Sequence, residues 1–347
     1  MPIDGGHLSR RLDCYQNQDF AKDETMGLLV DGVWREDWYD TEKSGGRFER
    51  FESTFRNWVT ADGGPGPTGR GGFKAAAGRY HLYVADSCPW AHRTLIYRKL
   101  KGLEEIISIS IADAVKHPQG WHFHEGEGLI PDYVNGATHV HEIYTKAEPG
   151  YSGRVTVPAL WDMETQTIVN NESSEIIRMF NAAFDAVGAS GPDLYPADLA
   201  SEIDALNERI YHTVNNGVYR AGFATSQAAY DDAVHALFER LDWLEERLNS
   251  KRYLLGDRLT EADWRLFPTL LRFDLAYHGN FKCNLKRIQD YPNLWGYTRE
   301  LYQIPGIAET INLMRMKAGY YTIAAVNRTQ IVPAGPIVDF TEPHERS

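Results

Sequence analysis

Cysteine is scarce in this chain. Its 347 residues hold three, Cys14, Cys88 and Cys283, widely spaced and odd in number. No CxxC pair exists, which excludes a zinc ribbon and a dithiol redox motif. So few cysteines suit a reducing compartment. Long apolar runs are missing as well. None approaches the length of a membrane span, and the first twenty residues contain no apolar h-region, so neither a membrane anchor nor a secretory signal is expected. Positive charge is outnumbered: 36 basic against 48 acidic residues give a net charge of −12. A surface of that sign repels nucleic acid and anionic lipid, so neither is an expected partner. The expected location is the cytoplasm. What is present is ordinary for a globular protein, with 43% apolar and 24% charged residues. The length suggests about two domains.

Residues 1 to about 75 are polar, glycine-rich and spiked with aromatics, and end in TADGGPGPTGRGG. The glycine cluster lacks the GK[ST] ending of a phosphate-binding loop and no strand leads into it, so it reads as a flexible loop. The segment is expected to be an extended arm lying over a folded body. From Arg79 the pattern sharpens. Tyr80 to Ala85 reads as a strand, Pro89 to Lys101 as a helix with proline in its first turn, and Ile106 to Ile111 as an alternating second strand. This is a βαβ unit with a parallel pair. Val155 to Trp161 and Thr167 to Val169 then read as a hairpin, and Glu172 to Phe184 as a helix. Beyond Tyr195-Pro196 the apolar period turns helical. Ile203, Leu206, Ile210 and Val214 share one face, and so do Tyr230, Val234, Leu237, Phe238, Leu241, Leu244 and Leu248. Thr260 and Asp263 stand at capping-box spacing. The expected layout is an extension over 1–75, an α/β domain over 76–190 with helices on both faces of a four-stranded sheet, an all-α domain over 197–330 and a tail over 331–347.

Cys88 falls where a strand ends and a helix begins. Backbone N–H groups and the helix dipole point there and favour a thiolate, the nucleophilic form. Position 91 is alanine, so no resolving cysteine is adjacent. A disulfide formed on Cys88 needs an external thiol, and glutathione is the abundant one in a reducing compartment. His92 and Arg93 follow on the helix as candidates to lower the thiol pKa. Val157-Pro158 opens the third strand. A cis bond there leaves the Val157 main chain free to pair with a peptide-like ligand, whereas a plain edge-strand proline explains the sequence equally well. Asn171-Glu172-Ser173-Ser174 ends a strand and starts a helix. Free N–H groups and a hydroxyl there suit a carboxylate and Glu172 suits an ammonium, although simple N-capping also fits.

In order, these three signals form the glutathione-binding plan of a thioredoxin-like fold. With an all-helical second half, the chain resembles a cytosolic glutathione transferase. The strings Cys88-Pro89-Trp90-Ala91-His92-Arg93-Thr94, Glu142-Ile143-Tyr144-Thr145-Lys146-Ala147, Gly153-Arg154-Val155-Thr156-Val157-Pro158 and Asn171-Glu172-Ser173-Ser174-Glu175-Ile176-Ile177-Arg178 narrow it. They resemble the Xi-class transferases, the glutathionyl-hydroquinone reductases, over about residues 25–330. That resemblance implies reductive removal of glutathione from glutathionyl-hydroquinones through a mixed disulfide on Cys88, with a second glutathione as co-substrate. It implies Trp121, Arg154, Val157, Glu172 and Ser173 as glutathione-binding residues, Tyr219 and Tyr321 as tyrosines of the quinol pocket, and a homodimer joined through the helical domain. The chain departs from the family pattern at Gly319-Tyr320-Tyr321, where His-Tyr-Tyr is expected, which leaves Tyr320 as the alternative to Tyr321.

The segment from His117 to His141 carries His117, His122, His124, His139 and His141. Two H-x-H pairs without a cysteine do not set a tetrahedral site, so these read as solvated loop histidines, and no metal is expected. Cys14 and Cys283 read as structural. Two other functions share the plan: an Omega-like thioltransferase or dehydroascorbate reductase, and a non-catalytic binder of glutathione conjugates. Conjugation is disfavoured, because it needs a free thiolate on the ligand, which a cysteine tends to trap as a mixed disulfide.

Overall fold

The computed structural model describes residues 27–115 and 117–346; Cys14 and the first part of the expected arm lie outside them. The central strand β3 (Tyr80–Ala85) is buried at every position, as a strand covered on both faces must be. It pairs in parallel with β4 (Ile107–Ala112) and antiparallel with β6 (Ala159–Asp162), and β6 pairs antiparallel with β7 (Thr167–Asn170). The sheet order is β4-β3-β6-β7. The alternation in β4 has a polar use. The His81 ring lies across it, with Nδ1 2.7 Å from Ser108 Oγ and Nε2 2.9 Å from Ser110 Oγ. Burial pushes this histidine down to about 4. At the end of β6 the buried Asp162 takes a bidentate pair from Arg79 at 2.8 and 2.7 Å.

Helix α1 (Pro89–Leu100) connects β3 to β4 and packs against α3 (Ser173–Ala182), which follows β7. Helix α2 (Val140–Ala147) packs against β7. The predicted βαβ and ββα runs are both observed, with α2, which the sequence reading did not place, between them.

The N-terminal segment differs from the expectation of a draped arm. Strands β1 (Leu28–Val30) and β2 (Val33–Arg35) form a hairpin, and β1 also pairs with β5 (Gly153–Arg154) to make a second, three-stranded sheet. Further along, the Asn57 amide donates to Val169 O at 3.0 Å and the Asn171 amide to Phe55 O at 3.1 Å. The segment thus covers the free edge of β7, an edge that would otherwise present unpaired N–H and C=O groups. Phe48, Val59 and Phe73 of this segment are buried.

The second half is all helix: α4 (Ala200–Ile210), α5 (Gly217–Gly222), α6 (Gln227–Asn249), α7 (Glu261–Arg272), α8 (Pro292–Gln303) and α9 (Leu313–Tyr321). The apolar faces read from periodicity are the buried ones, with Tyr230 at their rim. Asp263 accepts from the Thr260 amide at 2.8 Å, as the capping-box spacing requires. Two π-helical turns interrupt the bundle, Tyr211–Asn215 after α4 and Phe273–Tyr277 after α7. Such turns re-aim side chains and are common near functional sites. No helix among the described residues is long and apolar enough to cross a membrane.

Candidate active site

The two halves meet along α1 and α7, and the contact is built on arginine. Arg272 of α7 is buried and donates to Ser87 O at 3.0 Å and to Asp86 O at 2.7 Å, gripping the turn before Cys88. A further contact, Nη1 to His92 Nδ1 at 3.1 Å, requires a neutral imidazole there. Burial, then Arg272, hold His92 well below its ordinary value. His92 therefore supplies no charge to the thiol. Arg93 is buried over the Trp90 ring at 4.6 Å and donates to Arg265 O at 2.8 Å. The cations that act on Cys88 are Arg272 and Arg50.

Cys88 is the N-cap residue of α1, and its thiol donates to Val157 O at 3.3 Å. The Val157–Pro158 bond is cis. Burial pushes the Cys88 thiol up; the Ala91 and Trp90 amides and the two arginines pull against it, and the net direction is upward. This corrects the expectation of a thiolate favoured at rest. That expectation counted the stabilising donors at the helix N-terminus but not the desolvation of the thiol by burial.

Cys88 opens into a cleft. From the α/β half, Trp90, Trp121, Arg154 and Val157 line it; from the helical half, Tyr219, Phe223 and Tyr320 do so. Five of the sequence-derived site residues are thus together: Cys88, Trp121, Arg154, Val157 and Tyr219. Arg154 is anchored from behind by the N-terminal segment, donating to Asp37 O and Trp38 O, with its guanidinium 4.4 Å from the Tyr39 ring centroid. Glu172 and Ser173 do not line the cleft. They start α3 and are joined to it through Arg93, whose Nη1 is 3.4 Å from Ser173 Oγ. Burial pushes Glu172 up, but the Ser174 amide and hydroxyl, Arg93 and Ser53 outweigh it and hold the carboxyl below its ordinary value.

Of the two tyrosines left open at the end of α9, Tyr320 lines the cleft and Tyr321 does not. The Tyr320 hydroxyl stands 2.8 Å from those of both Tyr219 and Tyr277. Burial and the neighbouring phenols keep Tyr277 and Tyr320 well above the ordinary tyrosine value, so this triangle is a set of protonated O–H donors. Tyr321 is one step of about 100° round α9 and packs instead against Val115, Ala318 and Val332. The glycine at 319 has a steric reason. A Cβ there would meet Ser87 Cβ at 2.6 Å and Ala114 O at 2.7 Å, so only glycine lets α9 lie this close to the nucleophile turn.

Sequence reasoning missed Arg50, Arg272 and Tyr277. Arg50 comes from the N-terminal segment and sits 4.9 Å from the Trp90 ring centroid and 4.8 Å from that of Tyr219. Its Nε donates to Asn216 Oδ1 at 2.7 Å, while Nη2 is buried with no hydrogen-bond partner among the described residues. No motif surrounds it. Tyr277 lies on the second π turn, a feature that local propensity does not reveal.

The site has relatives. Residues 87–183 match the profile of the glutathione S-transferase N-terminal domain and residues 227–300 that of the C-terminal domain. The chain is 55% identical over 323 residues to glutathionyl-hydroquinone reductase YqjG of Escherichia coli, covering 92% of this chain and 98% of that protein. It is 56% identical over 312 residues to glutathionyl-hydroquinone reductase PcpF of Sphingobium chlorophenolicum, covering 90% and 96%. Among solved structures, the glutathione-bound YqjG superposes with a TM-score of 0.85 at 52% identity, over 92% of this chain and 99% of that one.

Proposed function

The chain belongs to the glutathionyl-hydroquinone reductases, the Xi class of the glutathione transferases, and from that premise we propose that Cys88 is the nucleophile with which it reduces glutathionyl-hydroquinones. Glutathione is the co-substrate. The Cys88 thiolate attacks the conjugate sulfur. The Cys88–glutathione disulfide forms, the sulfur–ring bond breaks, and its electron pair passes to the ring carbon, which takes a proton. A second glutathione thiolate then attacks the glutathionyl sulfur, releasing glutathione disulfide and regenerating Cys88. One conjugate and one glutathione thus become one hydroquinone and one glutathione disulfide.

The observation that carries this reading is a single thiol facing a cluster of neutral phenols across one cleft. Tyr219 and Tyr320 would donate to the quinol oxygens or supply the ring proton. Trp121, Arg154 and Val157 would hold the glutathione main chain, and Glu172 with Ser173 its γ-glutamyl end. The enzyme would act in the cytoplasm as a homodimer joined through its helical half, a state that sedimentation reads directly.

The test is steady-state turnover of a glutathionyl-hydroquinone with excess glutathione. Wild type should release hydroquinone and glutathione disulfide in equal amounts. Cys88→Ser should bind the conjugate without turning it over. If Cys88→Ser turns over at the wild-type rate, the thiol assignment fails.

A further inference from the structure

The N-terminal segment brings one cation to the place where the two halves of the cleft meet. Arg50 lines the cleft with Cys88, Trp90 and Tyr219. Its guanidinium carbon stands 5.3 Å from the Phe48 ring centroid, 4.9 Å from that of Trp90 and 4.8 Å from that of Tyr219. Nε donates to Asn216 Oδ1 at 2.7 Å, which fixes the orientation of the group. Nη2 is out of water and has no hydrogen-bond partner among the described residues. The other arginines of the site are engaged by main-chain carbonyls: Arg272 by Asp86 O and Ser87 O, Arg93 by Arg265 O, Arg154 by Asp37 O and Trp38 O. A buried N–H of a cation left without a partner calls for one.

We propose that Arg50 is a catalytic residue that holds the quinol ring oxygen next to the carbon–sulfur bond while that oxygen is an anion. This rests on the reading of Cys88 and the glutathionyl-hydroquinone given above. The chemistry calls for an oxyanion. The ring carbon that gives up sulfur must take a proton. A phenolate pushes electron density onto the neighbouring ring carbon, and a neutral phenol does so poorly. With the hydroxyl ionised, that carbon takes its proton before the bond breaks, and the ring becomes a neutral ketone. The Cys88 thiolate then attacks sulfur. The Cys88–glutathione disulfide forms, the carbon–sulfur pair restores the aromatic ring, and the carbonyl pair returns to oxygen as a phenolate. The proton lost from the hydroxyl balances the one gained at carbon. The final phenolate takes the proton that the thiol gave up. The oxygen is thus negative before and after the ketone, and a fixed cation beside it favours both states.

Position agrees with this role. The charge of Arg50 is felt at both reacting ends of the cleft: burial raises Cys88 and Tyr219, and Arg50 pulls against it at each. The Tyr219 hydroxyl in turn stands 2.8 Å from that of Tyr320, so the cation and the neutral O–H donors converge at one phenol. The γ-glutamyl end has a different cation, since the arginine that acts on Glu172 is Arg93.

Arginine suits the task better than lysine. Its planar fork is oriented by Asn216 at one edge and keeps other N–H groups for a ligand oxygen, which a freely rotating ammonium does not. The three aromatic rings around it keep bulk water away, and a cation in such surroundings acts on an anion more strongly than one in solution.

The test uses the full chain carrying Cys88→Ser, which should bind without turnover, and a glutathione thioether of a nitrophenol with sulfur next to the hydroxyl. Its phenolate absorbs visible light. Once bound, this phenol should ionise about one pH unit or more below its value in water, the shift that an adjacent arginine gives an acid. Adding Arg50→Gln should lower the ratio of bound phenolate to phenol at least about tenfold. Affinity for S-methylglutathione should stay within about twofold, as for a substitution remote from the ligand. With Cys88 restored, Arg50→Gln should slow hydroquinone release in a single turnover about a hundredfold or more, the range for a lost oxyanion donor. Iodoacetamide alkylation of Cys88 should fall by less than about threefold, since the thiolate keeps Arg272 and the helix N-terminus. A bound phenol that ionises no more readily than in water overturns the proposal, whether or not the variants fold. An equal fall in release and alkylation also overturns it, by putting Arg50 on the thiol. So does loss of S-methylglutathione binding, which puts Arg50 on a glutathione carboxylate. A thioether that does not bind at all overturns the reading of the cleft itself, and this proposal with it.

Discussion

The two walls of the cleft are built by different means. The thiol wall is local. Cys88 and Trp90 come from one strand-to-helix junction, and Arg154, Thr156 and Val157 from one short run before β6. Its polar groups are largely main chain, held by strand register and by a helix N-terminus. The phenol wall is assembled from afar. Tyr219 and Tyr320 are 101 residues apart, and Tyr277 between them sits on a π turn. Its polar groups are side-chain hydroxyls that hold one another. The difference suits two tasks. A peptide-like ligand is recognised by a peptide-like backbone, whereas a variable aromatic ring meets donors that a few substitutions can rearrange.

The first way to break the comparison is Tyr320→Phe. It removes the hydroxyl at the centre of the triangle and should lower kcat roughly a hundred- to ten-thousandfold, the range for loss of a positioned proton donor. KM for glutathione should hold, because the thiol wall is untouched. A rise in KM with kcat kept would merge the two walls into one.

A smaller effect separates the forces within the thiol wall. Burial pushes the Cys88 pKa above its ordinary value, so the thiolate is a minor form at pH 7 and grows about tenfold per pH unit below that pKa. Alkylation of Cys88 by iodoacetamide, read by peptide mass, should therefore climb about a hundredfold between pH 7 and 9. A plateau below pH 7 would mean that the helix N-terminus outweighs desolvation.

Arg154→Ala should act on glutathione alone. It detaches the N-terminal segment from the cleft and should raise KM for glutathione about tenfold, the loss of a hydrogen bond to a charged group. The kcat for hydroquinone release should stay within a few-fold. The smallest effect belongs to Tyr321→Phe, which packs away from the cleft and should change turnover by less than about twofold, as for substitutions remote from any site. Tyr320→Phe and Tyr321→Phe together measure how sharply the helix phase selects one tyrosine.

This contrast also explains what could be read without coordinates. The βαβ unit, the proline before β6 and the Glu172–Ser173 helix start are local patterns, and each stands where its sequence indicated. Helical periodicity found the buried faces of α4 and α6, but periodicity says that a face is buried, not what it meets. Hence Tyr320 and Tyr321 could not be separated, and Arg272 gave no sign that it reaches back to the turn before Cys88. The N-terminal segment escaped for another reason. Its pairing with β7 is made by main-chain groups of Asn57 and Phe55, to which composition is blind. The thiol was misjudged because a helix N-terminus is visible in sequence and the burial of the finished site is not.

The central claim is that the Cys88 sulfur takes the glutathionyl group from the ring. It is tested most directly by mixing enzyme with a stoichiometric glutathionyl-hydroquinone and no free glutathione, then reading intact and peptide mass. The account predicts one glutathionyl group on Cys88 and one equivalent of hydroquinone released. Hydroquinone appearing with Cys88 unmodified, or the adduct appearing on Cys14 or Cys283, would contradict it.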